Sequence, residues 1–298
     1  MFKKSRALPP EVVILRILNE RMELTEKDKQ NLWNLEKGYE GEVKFDKLIQ
    51  HLETLILNDL LLEVSDSLFQ IDTLIIFQGK IYLIDIKNYE GEYFYEGGVF
   101  KTNTKIEKKD PMLQLKRCQP LLRQLLQKYG YAIPIEAYLV FINPEFTLFQ
   151  PSHNPQIILP TQVNSFIKKL SKLPPSLTGR DLKLADLLIS LHITENPYTR
   201  LPKYDYDSLQ KGLSCAKCHS FSLSVSRTIL TCECGFKERV EPAVMRSVNE
   251  LHILFPEIKI TTNLVNEWCG AVASKKTIRR ILKENFKAIG NTKDTYYD

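Results

Sequence analysis

The chain has 298 residues, 43% of them apolar, enough to bury a core of one large or two modest domains, which excludes a disordered chain. No apolar stretch approaches the ~18 residues of a membrane helix, and the opening MFKKSRALPPEVV lacks the apolar run and small-residue cleavage site of a secretory leader, so no membrane partner and a cytoplasmic location are expected. The formal charge of +5 is uneven: residues 1–200 carry 26 Lys and Arg against 25 Asp and Glu, and residues 201–298 carry 15 against 11, a mild basic bias that suits a polyanion without requiring one.

In chain order, Val13, Ile14, Ile17 and Leu18, then Leu32, Trp33 and Leu35, recur at helical spacing, and Val43, Phe45, Leu48, Ile49 and Leu52 continue it over residues 42–57. This predicts two short helices feeding a third. Residues 60–64, 68–77 and 80–88 are strand-like, with Gln78-Gly79 as a tight turn between the last two and further strands near 93–95 and 99–101. Pro111 can open a helix that Pro120 should kink or divide. Residues 136–143 and 156–159 predict two more strands, and 181–191 a helix before the linker NPYTRLPKYDYD. Strands interleaved with helices give an α/β layer structure.

With Gln78 and Gly79 as the two loop residues, Phe77 pairs with Lys80 and Asp72 comes to face Asp85. Like charges so placed are destabilising without a compensating cation. Lys87 lies two residues beyond Asp85 and so points to the same face. Two acids and an amine thus converge, supplying hard oxygen ligands for Mg²⁺ or Mn²⁺ and a cation beside an attacking water, as phosphodiester hydrolysis requires. Glu42 is a further candidate carboxylate. The alternative is that Asp72 and Asp85 are ordinary strand residues, one of them salt-bridged to Lys87, but both sit in apolar strands where an unpartnered acid is costly.

GYEGE (38–42), FQIDTLII (69–76), IYLIDIKNYEGEYFY (81–95), DPMLQLKR (110–117) and YLVFINP (138–144) resemble, in that order, the nuclease-related domain (NERD) family, a branch of the PD-(D/E)xK nuclease superfamily. The resemblance covers about 115 residues, and five ordered segments are more specific than any one. It implies a restriction-endonuclease-like mixed β-sheet flanked by helices, with Glu42 as the first-helix acid, Asp72 as the first strand acid and Asp85-x-Lys87 as the paired signature. It also implies that Ile86 lends its backbone carbonyl to the metal and that Gln114 lies beside the lysine or the DNA. The signature acid is aspartate here where many relatives carry glutamate, which shortens the reach and keeps the charge.

Of six cysteines, Cys215-x-x-Cys218 and Cys232-x-Cys234 offer four thiolates from two tight turns, the residues between them suiting a short hairpin. Such a set favours a closed, structural Zn²⁺ site, whose binding would supply most of the folding energy of so small a module. Cys118 and Cys269 lack partners at ligand spacing, and His219 reads as a surface neighbour. Residues 241–254, 262–269 and 274–286 predict three helices, with Ser274 as a cap and Gly270 in the last turn, a pattern resembling a helix-turn-helix. Lys276, Arg279, Arg280, Lys283 and Lys287 fall on one side of the last helix and suit phosphates, although a solvated helix face would use the same residues.

The expected organisation is a helical extension (1–35), a nuclease-like domain (36–170), a helical segment and linker (171–211), a zinc ribbon-like module (212–240) and a helical tail (241–298). The leading expectation is a metal-dependent nuclease, with DNA favoured over RNA. A silent nucleic-acid-binding protein on the same fold and an interaction scaffold with structural acids remain open. Oligomeric state is not legible.

Overall fold

The computed structural model describes residues 1–77, 79–96, 98–149, 154–173, 177–290 and 295–298. Along the chain the elements are β1 (Phe2–Lys4), α1 (Pro10–Arg21), α2 (Glu26–Ile49), β2 (Leu55–Val64), β3 (Ser67–Phe77), β4 (Lys80–Lys87), β5 (Gly91–Glu96), β6 (Val99–Thr102) and α3 (Pro111–Lys128). There follow β7 (Ile135–Phe141), β8 (Phe146–Phe149), β9 (Ile157–Ile158), α4 (Pro160–Ser171), α5 (Gly179–Ser190), β10 (Leu223–Ser226), β11 (Ile229–Cys232) and β12 (Lys237–Arg239). The last are α6 (Val240–Leu254), α7 (Thr262–Trp268), α8 (Lys275–Asn285), β13 (Ala288–Ile289) and β14 (Tyr296–Tyr297). Among the described residues no helix is long and apolar enough to cross a membrane.

The chain divides into two units, one comprising Met1–Pro9 and Trp33–Thr199, the other Pro10–Leu32 and Arg200–Asp298. The first is built on a six-stranded mixed sheet in the order β1-β2-β3-β4-β7-β9. β2, β3 and β4 run antiparallel, while β4, β7 and β9 are parallel neighbours. Strand alternation divides the apolar residues between two cores. On one face Leu74, Ile76, Ile81, Leu83 and Leu139 pack with Leu115, Leu122 and Leu126 of α3 and Leu184 and Leu188 of α5. On the other, Ile75, Tyr82, Ile84, Ile86 and Val140 pack with Phe45 and Ile49 of α2 and Phe166 and Ile167 of α4. A separate sheet, β6-β5-β8, contains the strands predicted near 93–95 and 99–101.

Two helix expectations are corrected. Residues 26–49 form one helix, not two, and residues 55–57 belong to β2. Gly38 and Gly41 weaken this helix locally by ~1 kcal/mol each, yet burial of Phe45 and Ile49 against the sheet carries it through, because most helical stability in proteins comes from packing. Likewise α3 is undivided at Pro120, its buried leucines offsetting the lost backbone bond. Pro111 does open α3 as expected: Asp110 caps it, its carboxylate accepting from the Met112 N–H at 2.9 Å and from the Tyr95 hydroxyl at 2.6 Å. The expected turn is described only at Gly79, whose φ is +70°; Gln78 lies outside the described residues.

In the second unit, β10, β11 and β12 form an antiparallel sheet and α6, α7 and α8 share one core. Trp268, fully buried, donates its indole N–H to the Ser247 carbonyl at 3.0 Å and stacks under the Arg21 guanidinium at 4.1 Å.

One close contact fixes α2 on the sheet. A Cβ added to Gly41 would lie 2.5 Å from the Asn88 Cβ and 3.2 Å from the Ile142 Cγ2, and the Asn88 amide in turn donates to the Lys37 carbonyl at 2.7 Å. Gly41→Ala is expected to lower stability by ~1–3 kcal/mol through overpacking, read as a lower urea midpoint at unchanged m-value.

Candidate active site and thiolate cluster

The antiparallel ladder of β3 and β4 runs from Phe77↔Lys80 to Thr73↔Ile84, the register expected from sequence, and stops one residue short of Asp72 and Asp85. Beyond it β4 continues with β7 as far as Lys87↔Phe141. The Ile86 N–H, lacking a strand partner on the β3 side, donates to the Asp72 Oδ2 at 2.8 Å. Asp72 therefore closes the gap where the two strands part.

The pleat also breaks here. Leu55 and Leu57 face the same core as Leu60 and Leu62, and Phe69 and Ile71 the same core as Leu74 and Ile76, so side-chain alternation inverts on both strands around Asp59 and Asp72. Asp59 has a φ of +50°, a conformation few residues other than Gly, Asn and Asp adopt at low cost.

Lys87 and Asp85 share a face, as period two requires, with Nζ 2.6 Å from Asp85 Oδ1. The Lys87 ammonium also donates to Gln114 Oε1 at 3.1 Å, one turn into α3. Asp85 is 3% exposed, and its Oδ1, though ion-paired, receives no aligned hydrogen bond. Burial, and then the neighbouring Asp72 charge, push the Asp85 carboxyl up to about 7 against the pull of Lys87. Burial would lower the pKa of Lys87, but Asp85 and Asp72 overcome it and hold the amine firmly protonated.

Glu42 comes to this site from α2 but is held by a cation that sequence reasoning missed. Arg6 Nη1 donates to Glu42 Oε2 and to Asp59 Oδ1, both at 2.6 Å, and its Nε donates to Asp46 Oδ2 at 2.9 Å. Its Nη2 reaches the Asp72 carbonyl at 2.9 Å and the Thr73 Oγ1 at 3.0 Å. Burial first, and then Asp72, raise Glu42 to about 8 despite Arg6, and burial raises Asp59 to about 6. Two signals could have exposed the network: Asp46 lies one helical turn after Glu42, and Asn58-Asp59 interrupts an apolar strand. Arg6, in an irregular N-terminal segment, had none.

Glu42, Asp72 and Asp85 do not close into a three-ligand cage; among the described residues only the cysteines do so. The site nonetheless fits a divalent cation, because five carboxylates, Glu42, Asp46, Asp59, Asp72 and Asp85, face three cations, Arg6, Lys87 and, beside Asp59, Lys4, and the buried Asp85 has the Lys87 ammonium as its ion-pair partner. Mg²⁺ commonly takes one or two carboxylates and completes its shell with water. Gln114 further lines an open cavity of about 330 Å³ with Lys109, Arg117 and Tyr198.

The four cysteine sulfurs of the second unit lie within 4.8 Å of one another, with Cys215–Cys234 at 3.8 Å and Cys218–Cys232 at 3.5 Å. A tetrahedron of thiolates at a Zn–S length of about 2.3 Å has edges of about 3.8 Å, so the cluster is compatible with a zinc ribbon. The Lys217 N–H points at Cys215 Sγ, 3.4 Å away, and Gly235, at φ +83°, turns the second knuckle. β10 and β11 form the expected hairpin between the knuckles. His219 pairs with Glu20 at 2.7 Å and lies outside the cluster. Cys118 and Cys269 are buried and also outside it. On α8, Lys276, Arg279, Arg280 and Lys283 are all exposed, and Arg280 pairs with Glu284 at 2.8 Å.

Residues 37–142 match the family model of the nuclease-related domain, NERD, in agreement with the resemblance read from the sequence; the match makes a nuclease-related function the general expectation. No curated protein and no solved structure matches the chain.

The raised acids give the site a pH signature. Between their ordinary values near 4 and their values of about 7 and 8, Asp85 and Glu42 hold more protons in the folded than in the unfolded chain, so stability falls as pH rises through that window. Without added Mg²⁺ or Mn²⁺, urea unfolding should show this decline, and Asp85→Asn should flatten it.

Proposed function

We propose that the nuclease-related domain is a divalent-metal-dependent phosphodiesterase acting on DNA, assisted by a zinc ribbon and a basic C-terminal helix. The observation that carries this reading is the buried convergence of Asp72, Asp85 and Lys87 where β3 and β4 part, Asp85 ion-paired to Lys87 and Asp72 accepting from the Ile86 N–H. Asp72 and Asp85, together with the Ile86 carbonyl, would hold Mg²⁺ or Mn²⁺. Such an ion polarises the phosphate and lowers the pKa of water.

The protein's own groups divide the remaining work. Lys87, kept protonated by Asp85, would orient the attacking water and donate to a phosphate oxygen as charge develops there. Gln114 holds that ammonium in place and borders the cavity where a neighbouring nucleotide would lie. Glu42, its Oε2 already bound by Arg6, would take up the water's proton at Oε1. Its raised pKa suits a base working near neutral pH.

Lys276, Arg279, Arg280 and Lys283 would contact phosphates. A Zn²⁺ bound by Cys215, Cys218, Cys232 and Cys234 would have a closed shell, and so a structural role.

Incubation with plasmid, linear and single-stranded DNA plus Mg²⁺ or Mn²⁺ should give cleavage that Asp85→Ala or Lys87→Ala reduces by ~10³-fold or more and Gln114→Ala by ~10-fold. Asp72→Asn should abolish calorimetric Mn²⁺ binding. DNA bound by the wild-type protein but uncut under every condition would leave a silent binding protein instead. For zinc, metal analysis should find about one ion per chain and none in a Cys215→Ser/Cys218→Ser variant; unchanged zinc in that variant would remove the assignment.

A further inference from the structure

The second unit ends in a connectivity that the helical pattern alone did not contain. α6 leads to Ile260, which forms an antiparallel bridge with Tyr297. α7 and α8 follow, joined through a turn in which Gly270 and Ala271 both have positive φ. β13 then leaves α8 and pairs with β14, Ala288 opposite Tyr297 and Ile289 opposite Tyr296. Tyr297 thus joins Ile260 on one side and Ala288 on the other, giving a small three-stranded arrangement against a three-helix core. Ile260, Val265, Trp268, Ile278, Ile281, Leu282 and Tyr297 are all buried in that core.

This order, helix, bridge strand, helix, helix, antiparallel strand pair, matches that of a helix-turn-helix flanked by the strands of a β-wing. In it α8 occupies the second, groove-reading position. Its buried residues, Ile278, Ile281 and Leu282, fix which side faces inward. Lys276, Arg280 and Lys283 then fall on the opposite side and Arg279 on its exposed flank, about 100° per residue around the axis. The helix carries Lys275 as a fifth cation and Glu284 as its only acid.

We infer that α8 is the recognition helix of a winged helix-turn-helix that seats in the major groove of duplex DNA. This deepens the proposed function, on which it rests for nucleic acid as the partner, by naming the form recognised. Three features select duplex DNA. The major groove of B-DNA, about 12 Å wide, admits an α-helix, whereas the deep, narrow major groove of duplex RNA does not. Single strands are gripped by aromatic stacking platforms, and α8 presents Lys and Arg with no aromatic residue on its outer side. Two of the outward residues are Arg279 and Arg280, and arginine reads guanine edges in a bidentate manner as well as binding phosphate.

The test uses the full chain with zinc retained and no added Mg²⁺ or Mn²⁺. Fluorescence anisotropy is measured on one labelled 30-nucleotide sequence presented as duplex DNA, duplex RNA and single-stranded DNA. The wild-type protein should prefer duplex DNA by ~10-fold or more, and K276A/R279A/K283A should weaken that binding ~10–100-fold and reduce the salt slope by about two to three. Because these residues are exposed, the variant should melt at the wild-type temperature. Equal affinity for the three probes, or a triple variant within about twofold of wild type, overturns the assignment. If DNA is cut normally while α8 substitutions change nothing, this inference alone fails. If α8-dependent duplex binding persists and no metal supports cleavage, the hydrolase reading alone fails.

Discussion

Burying charge constrains the first unit more than any other requirement. Glu42, Asp46, Asp59, Asp72 and Asp85 crowd around the end of the β3–β4 ladder; Arg6 pairs with Glu42, Asp46 and Asp59, Lys87 pairs with Asp85, and Asp72 accepts from the Ile86 N–H. Breaking a buried pair by removing one partner typically costs 3–5 kcal/mol, because it strands an uncompensated charge. Arg6 is only 2% exposed at its side chain and contacts α2, β2 and β3 together. The guanidinium's planar fork is suited to such multidentate work in a way an ammonium is not.

The local backbone follows from that arrangement. If β3 and β4 stayed paired through Asp72 and Asp85, the two carboxylates would face each other across the ladder. Instead the strands part, Asp72 takes the freed Ile86 N–H, and Asp85 turns to Lys87. The sheet exchanges a backbone hydrogen bond for a charge-assisted one, which is shorter and stronger. The remaining excess of negative charge appears as carboxyls held above their ordinary range. A site that binds a divalent cation would have this character before the cation arrives, since metal binding displaces protons from its ligands.

The second unit obtains its stability differently. The three-stranded ribbon has little apolar content of its own, with Leu230 and Cys232 its buried strand residues, and its four sulfurs lie within 4.8 Å of one another. The helices of the tail share an ordinary apolar core closed over Trp268. Arg21 ties these parts together by donating to the Gln210 and Gly212 carbonyls and to Glu250. Its role parallels that of Arg6, as both are buried guanidiniums satisfying acceptors from several segments.

The sequence determined much of this, because the features concerned are local. Reading Gln78-Gly79 as a two-residue turn predicted the β3–β4 register, and the two-residue step from Asp85 to Lys87 fixed their common face. The cysteine spacing placed both knuckles, while Pro111 and Ser274 marked the starts of α3 and α8. Only the tertiary structure decided the rest. Packing against the sheet, absent from any local propensity, overrode Gly38, Gly41 and Pro120 and kept α2 and α3 whole. Arg6 entered the acid cluster because β1 lies beside β2, a pairing between segments some fifty residues apart. The pairing at the C-terminal end, too, depends on Tyr297 returning to Ile260, a contact with no signature at either end.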